Sequence, residues 1–228
     1  MQRIGNWLRN IANLVKQALN LTNTTSESAS DLSQAEKEEI QKAYLSFLIE
    51  VLQATYESWG DAQVVFPLLA ANTDKLNIIF AELLRNWATN LLAEAKPDEA
   101  QFLAAVILLL SNRISEFPLG DKASNMEIAI TGYETALTVY TREAFPQDWA
   151  ATQNNLGAAY GDRILGERAN NLEYAIAAYE SALEVYTREA FPQDWAGTQN
   201  NLGNAYLYRI LGERANNLEN AIAAYKSA

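Results

Sequence analysis

The line FPQDWAATQNNLG, beginning at Phe145, returns as FPQDWAGTQNNLG at Phe191, 46 residues later. A chain that restates itself at such an interval buries each unit against the next, because one unit is too small to enclose its own apolar face. Between residues 141–182 and 187–228, 36 of 42 aligned positions are identical. An earlier partial copy, GDKASNMEIAITGYETALTVYTREAFP from Gly120, matches GERANNLEYAIAAYESALEVYTREAFP from Gly166 at the same offset. The repeat therefore predicts stacked layers before any local propensity is weighed.

Each unit reads as two helices. The first is expected over 148–165, with Asp148 capping its free N–H groups after Phe145-Pro146 and Gly166 supplying a left-handed residue that stops it. The second is expected to start after Asn170-Asn171, with Asn170 and Glu173 forming a capping box. Its apolar residues Leu172, Ala175, Ile176, Tyr179, Ala182, Leu183 and Tyr186 keep the three-and-four spacing of one helical face. Pro192 closes the unit, since proline cannot continue a helical ladder.

The series Leu156-Gly157-x-x-Tyr160, then Ala175, Tyr179, Ala182 and Pro192, resembles the tetratricopeptide signature, and Leu202, Gly203, Tyr206, Ala221, Tyr225 and Ala228 repeat it. The resemblance implies an all-α α-solenoid of helix–turn–helix repeats wound into a right-handed superhelix. It also implies that Gly157 and Ala175 allow close helix approach while Tyr160 and Tyr179 fill the space between pairs. Two departures stand out. Gln153 and Gln199 occupy the signature tryptophan position, with Trp149 and Trp195 one turn earlier, and the period is 46 rather than about 34. The phrases TREAFPQDWA, TQNNLGxAY and VVFPLLAANTDKL are similar to long-repeat tetratricopeptide proteins of cyanobacteria, many of which carry a caspase-like CHAT domain. Under that resemblance the chain is a sensing or regulatory arm, and a last helix that stops at AIAAYKSA reads as part of a longer parent.

Composition narrows the chemistry. With no Cys and no His, disulfides, ordinary zinc sites and His-activated nucleophiles are absent, so neither an enzyme nor a metal or other cofactor is expected. The formal charge of −11, concentrated over residues 38–120, repels phosphate backbones and argues against nucleic acid. No apolar run reaches the roughly 18–20 residues of a bilayer span, and the N-terminus lacks a secretory apolar core, so a soluble cytoplasmic protein is expected.

Residues 1–20 form an amphipathic stripe through Ile4, Trp7, Leu8, Ile11, Leu14, Val15, Ala18 and Leu19, with Arg3, Arg9 and Lys16 off it. Three cations and one Trp make a weak anchor on a membrane surface, so docking on protein is the preferred reading. Residues 21–37 read as a flexible linker and 38–96 as a helical cap covering the exposed end of the stack. Segments are expected near 39–59, 61–71, 74–95 and 98–116, with Trp59 and Trp87 in the core. Repeats then occupy 97–228, the last incomplete, and Leu110, Ser111 and Ile114 take the Leu-Gly-x-x-Tyr places of the first unit.

The two full copies differ at six positions: Ala151/Gly197, Ala158/Asn204, Gly161/Leu207, Asp162/Tyr208, Tyr174/Asn220 and Glu180/Lys226. The first four lie on the first helix where, with Asn154 and Asn200, the family resemblance implies the lining of a concave groove. Free drift would also have altered the loop GERANN, which is unchanged. The expected function is a protein-interaction module holding a peptide or helix in that groove. In this reading Asn154 and Asn200 pair with the peptide backbone, Leu207 and Tyr208 anchor it, and Arg163 and Arg209 serve as ion-pair partners of neighbouring acids. The competing readings are control of a CHAT protease in the same polypeptide, and self-assembly into a homo-oligomer through the terminal repeat or the N-terminal helix.

Overall fold

A computed structural model describes residues 34–228. The amphipathic segment 1–20 and most of the expected linker lie outside the described residues. The described chain is all-helical: α1 Gln34–Glu57, α2 Ala62–Ala70, a 3-10 turn Thr73–Lys75, α3 Ile78–Glu94, α4 Pro97–Glu116, α5 Lys122–Leu137, α6 Pro146–Asp162, α7 Arg168–Leu183, α8 Pro192–Tyr208 and α9 Arg214–Ser227. Because α1 starts at Gln34, residues 34–37 are helical rather than linker. Helices pair as α4/α5, α6/α7 and α8/α9, and each second helix also packs on the next first helix, α5 on α6 and α7 on α8.

Local chemistry explains the helix ends, and it corrects the expected ones. Pro146 and Pro192 open α6 and α8 at the first helical position, where a missing N–H costs nothing and φ is already suitable. Asp148 sits inside the first turn rather than at the cap, favoured there by the helix dipole. The helix ends at Asp162, and Gly166 adopts φ +78° in the turn beyond it. Asn170 does not cap α7, which begins at Arg168 with no side-chain cap. Instead the next residue, Asn171, is buried, and its Nδ2 donates to the Leu165 carbonyl at 2.8 Å. Asn125 and Asn217 tie the corresponding turns at 2.9 Å, to Leu119 and Leu211. An amide reaching back across the turn does here what a cap does elsewhere.

Helices α1 to α3, the region expected to act as a cap, share one continuous core with α4. Leu48, Leu69, Phe80, Leu84, Leu103, Ile107, Leu110 and Ile114 are fully or almost fully buried in it. Trp87 belongs to that core, but Trp59 is 77% exposed. The reason is the turn after α1: Trp59 and Gly60 have φ 55° and 75°, and Gly60 N–H donates to the Thr55 carbonyl at 2.7 Å. The chain reverses there, leaving the indole outside. The apolar run of α4 is wedged between cap and stack, since α4 packs on α1, α2, α5 and α6.

Candidate functional site

The four variable first-helix positions and the two asparagines form one stripe along α6 and along α8, with steps of three and four residues. On α6, Ala151 is half-buried beside Trp149 and Trp195. Asn154 and Gly161 are half-buried, and Ala158 and Asp162 exposed. On α8, Gly197, Asn200, Asn204 and Tyr208 are exposed and Leu207 is half-buried.

Two of these side chains already have partners among the helices. Asn201 Nδ2 donates to Asn154 Oδ1 at 3.2 Å, joining α8 to α6. Asn204 Oδ1 accepts from the Tyr225 hydroxyl at 2.8 Å, joining α8 to α9. Asn112 plays the same part in the first layer, accepting from Tyr133 OH at 2.9 Å and from Asn155 Nδ2 at 3.0 Å. The middle layer has Ala158 at this position, and its Tyr179 makes no hydrogen bond among the described residues. Gly161 lies close by: a Cβ added there would be 4.0 Å from the Tyr179 hydroxyl. Burial, and then the Asp162 charge, push the Tyr179 phenol well above its ordinary pKa, so it stays a hydrogen-bond donor at neutral pH. Sequence reasoning missed Tyr179 as a member of the face. The signal was present in the Asn112, Ala158, Asn204 alternation, which becomes visible once the first unit is aligned with the other two.

Arg163 and Arg209 carry the ion pairs expected of them. Arg163 grips Glu127 of α5 with two bonds of 2.7 Å, and Arg209 grips Glu173 of α7 at 2.8 and 2.7 Å. The forked geometry fixes the end of each first helix to the preceding second helix. Tyr160 and Tyr206 add a second tie, donating to Glu134 and Glu180 at 2.8 and 2.7 Å. These ties recur unchanged, so the frame beneath the variable face is the same in both layers.

Among the described residues no helix is long and apolar enough to cross a membrane. No protein-family model, curated protein or solved structure matches this chain.

Proposed function

We propose that the three helix pairs form a tetratricopeptide-like solenoid and that α6 and α8 line an inner wall binding an extended peptide from another protein. The observation carrying this reading is the Tyr179 hydroxyl. It lies about 4.0 Å from where a Cβ on Gly161 would stand, and its counterparts in the flanking layers are occupied by asparagine where this layer has Ala158. A peptide carbonyl entering the space left by these two small residues finds a neutral donor there. The exposed amide of Asn200 supplies a donor and an acceptor one layer on, and the 64% exposed ring of Tyr208 supplies apolar area for an anchoring side chain.

The test uses affinity capture from a lysate of the source organism, then titration of the captured partner. Tyr179→Phe removes the donor but keeps the ring against Gly157, and is expected to weaken binding by about 3- to 10-fold. Asn200→Ala with Tyr208→Ala is expected to weaken it further, with melting temperature nearly unchanged because both side chains are exposed. Binding that survives all three substitutions sinks the assignment.

A further inference from the structure

The turns inside the helix pairs keep large apolar residues in solvent. Ile164 and Leu165 are 57% and 48% exposed in a pair packed on both sides, by α5 and by α8, and Ile210 and Leu211 are 58% and 46% exposed in the next pair. The near-equal values show that the exposure belongs to the turn itself. Leu119, in the turn before them, is 53% exposed. Arg163 reaches Glu127 near the start of α5, and Arg209 reaches Glu173 near the start of α7, so consecutive turns lie side by side along one edge. Single exposed apolar residues are ordinary, but a row of neighbouring ones marks a surface that binds something. Within these turns Asp121, Glu167 and Glu213 are exposed, as is Lys122, while Arg168 and Arg214 are turned back onto the carbonyls of Gly161 and Leu207.

We propose that residues 1–20 of the same chain dock on this row as a helix lying across the layers. The spacing carries the match. Packed helices repeat at about 8–10 Å, and seven residues of helix rise about 10.5 Å. Trp7-Leu8 and Leu14-Val15 stand seven apart on the amphipathic stripe, so one apolar couple meets each successive turn. A 20-residue helix is about 30 Å long, enough to cross three turns. The segment carries Arg3, Arg9 and Lys16 with no acid, in a chain of net charge −11, so the remainder of the chain attracts it. The tether also starts in the right place. The Tyr44 hydroxyl accepts from Asn77 Nδ2 at 2.6 Å, and a Cβ on Gly120 would be 3.8 Å from Thr73 Cβ, which sets the first half of α1 at the same edge. Residues 21–33 reach about 40 Å when extended. The row shares no residue with the variable stripe on α6 and α8, so neither assignment depends on the other.

Hydrogen exchange of the full chain, read peptide by peptide in a mass spectrometer, provides the test. A helix of this length is marginal by itself in water, so docking is what slows exchange in residues 1–20. In the parent that exchange is expected to be slower than in an unstructured peptide by about 10-fold or more. Ile164→Ser with Leu165→Ser is expected to remove most of the protection, and so is Leu8→Ser with Leu14→Ser, because each pair takes two apolar side chains out of the contact. Ile164 and Leu165 are exposed, so the melting temperature of the turn variant is expected to stay nearly unchanged, which circular dichroism checks. Unprotected residues 1–20 in the parent, or protection indifferent to the turn substitutions, would overturn the proposal. So would protection that grows with chain concentration, which puts the segment on a second copy. Protection seen only with vesicles of phosphatidylserine and phosphatidylcholine would overturn it too, by putting the segment on a membrane.

Discussion

The cap and the repeat layers hold together in different ways. The cap sequence does not recur, and it relies on one large core in which Phe80, Leu48 and Leu69 are wholly buried. The layers have smaller, separate apolar clusters, such as Ala175, Ile176, Tyr179, Leu202 and Ala205 between α7 and α8. These are stitched by a recurring set of polar ties: the Arg–Glu fork, the Tyr–Glu bond and the asparagine across the turn. The boundary is marked at a single position. Phe117 stands where later layers have Arg163 and Arg209, and its ring packs edge-on against Phe66 of the cap at 5.4 Å. Asn125 Oδ1, whose counterpart in α7 lies 3.5 Å from Arg163 Nη1, is left without a partner. An end-piece buries apolar area once; a repeated piece must reproduce geometry, and directional bonds do that better than apolar contact.

The sharpest way to break the contrast is to remove apolar volume in each region. Phe80→Ala empties a fully enclosed site and is expected to cost about 3–5 kcal/mol, while Ile176→Ala, in the small cluster between α7 and α8, is expected to cost about 2 kcal/mol. Urea melts of both variants decide it, and equal losses would mean that the cap is no more core-dependent than the layers.

A smaller effect sharpens the layer-to-layer comparison. In the second and third units a glycine of the first helix lies against a tyrosine ring: a Cβ on Gly157 would be 2.8 Å from Tyr179, and one on Gly203 would be 2.6 Å from Tyr225. In the first unit Ser111 takes the glycine's place, and Gly132 takes the place of Ala178 to receive it. A methyl on Gly132 collides with Ser111 Oγ. Gly132→Ala is therefore expected to cost about 1–3 kcal/mol, and Ser111→Gly in the same chain to recover most of it. Additive losses in that double-mutant cycle would show that the two positions do not compensate.

The smallest effect concerns pH. Hydrogen bonds from Arg209 hold the Glu173 carboxyl below its ordinary value of 4.5. The pair's stabilisation is complete above that value and fades as pH falls below it toward the lowered one. Both groups are partly exposed, so the loss is expected to stay under about 1 kcal/mol. Thermal melts between about pH 7 and about pH 3 should show a smaller acid-side decline in Glu173→Gln than in the parent. An identical decline would remove the fork from the account of the layers.

Much of this organisation was legible in the sequence, for a physical reason. A 46-residue restatement carries its own alignment, so helix pairing and the ion pairs of Arg163 and Arg209 could be read from matched positions. Gly166 could be placed in the left-handed region because a helix must be left somewhere and glycine does so without steric cost. What failed were judgements made from one residue's type. Aromatic character predicts Trp59 in the core, but a reversing backbone carries it outward. Asparagine's capping preference points to Asn170, whereas the neighbouring Asn171 is the one placed to reach back across the turn. Variation between copies and the family resemblance together mark the face on α6 and α8, but neither tells which side chains already have partners; Asn154 and Asn204 do.

The exchange between Ser111–Gly132 and Gly157–Ala178 has a consequence for how such a chain can grow or shrink. A crossover that joined the first helix of the first unit to the second helix of a later one would set serine against alanine, overfilling the seam, and the converse crossover would set glycine against glycine, leaving a void. Recombination between the first unit and a later one at the turn inside a hairpin would thus yield a damaged product, whereas breakpoints between hairpins would leave each matched couple intact. The hairpin is in this sense the heritable particle, and any laboratory shuffling of these units should cut at the Phe-Pro junctions and not at the glycine turns.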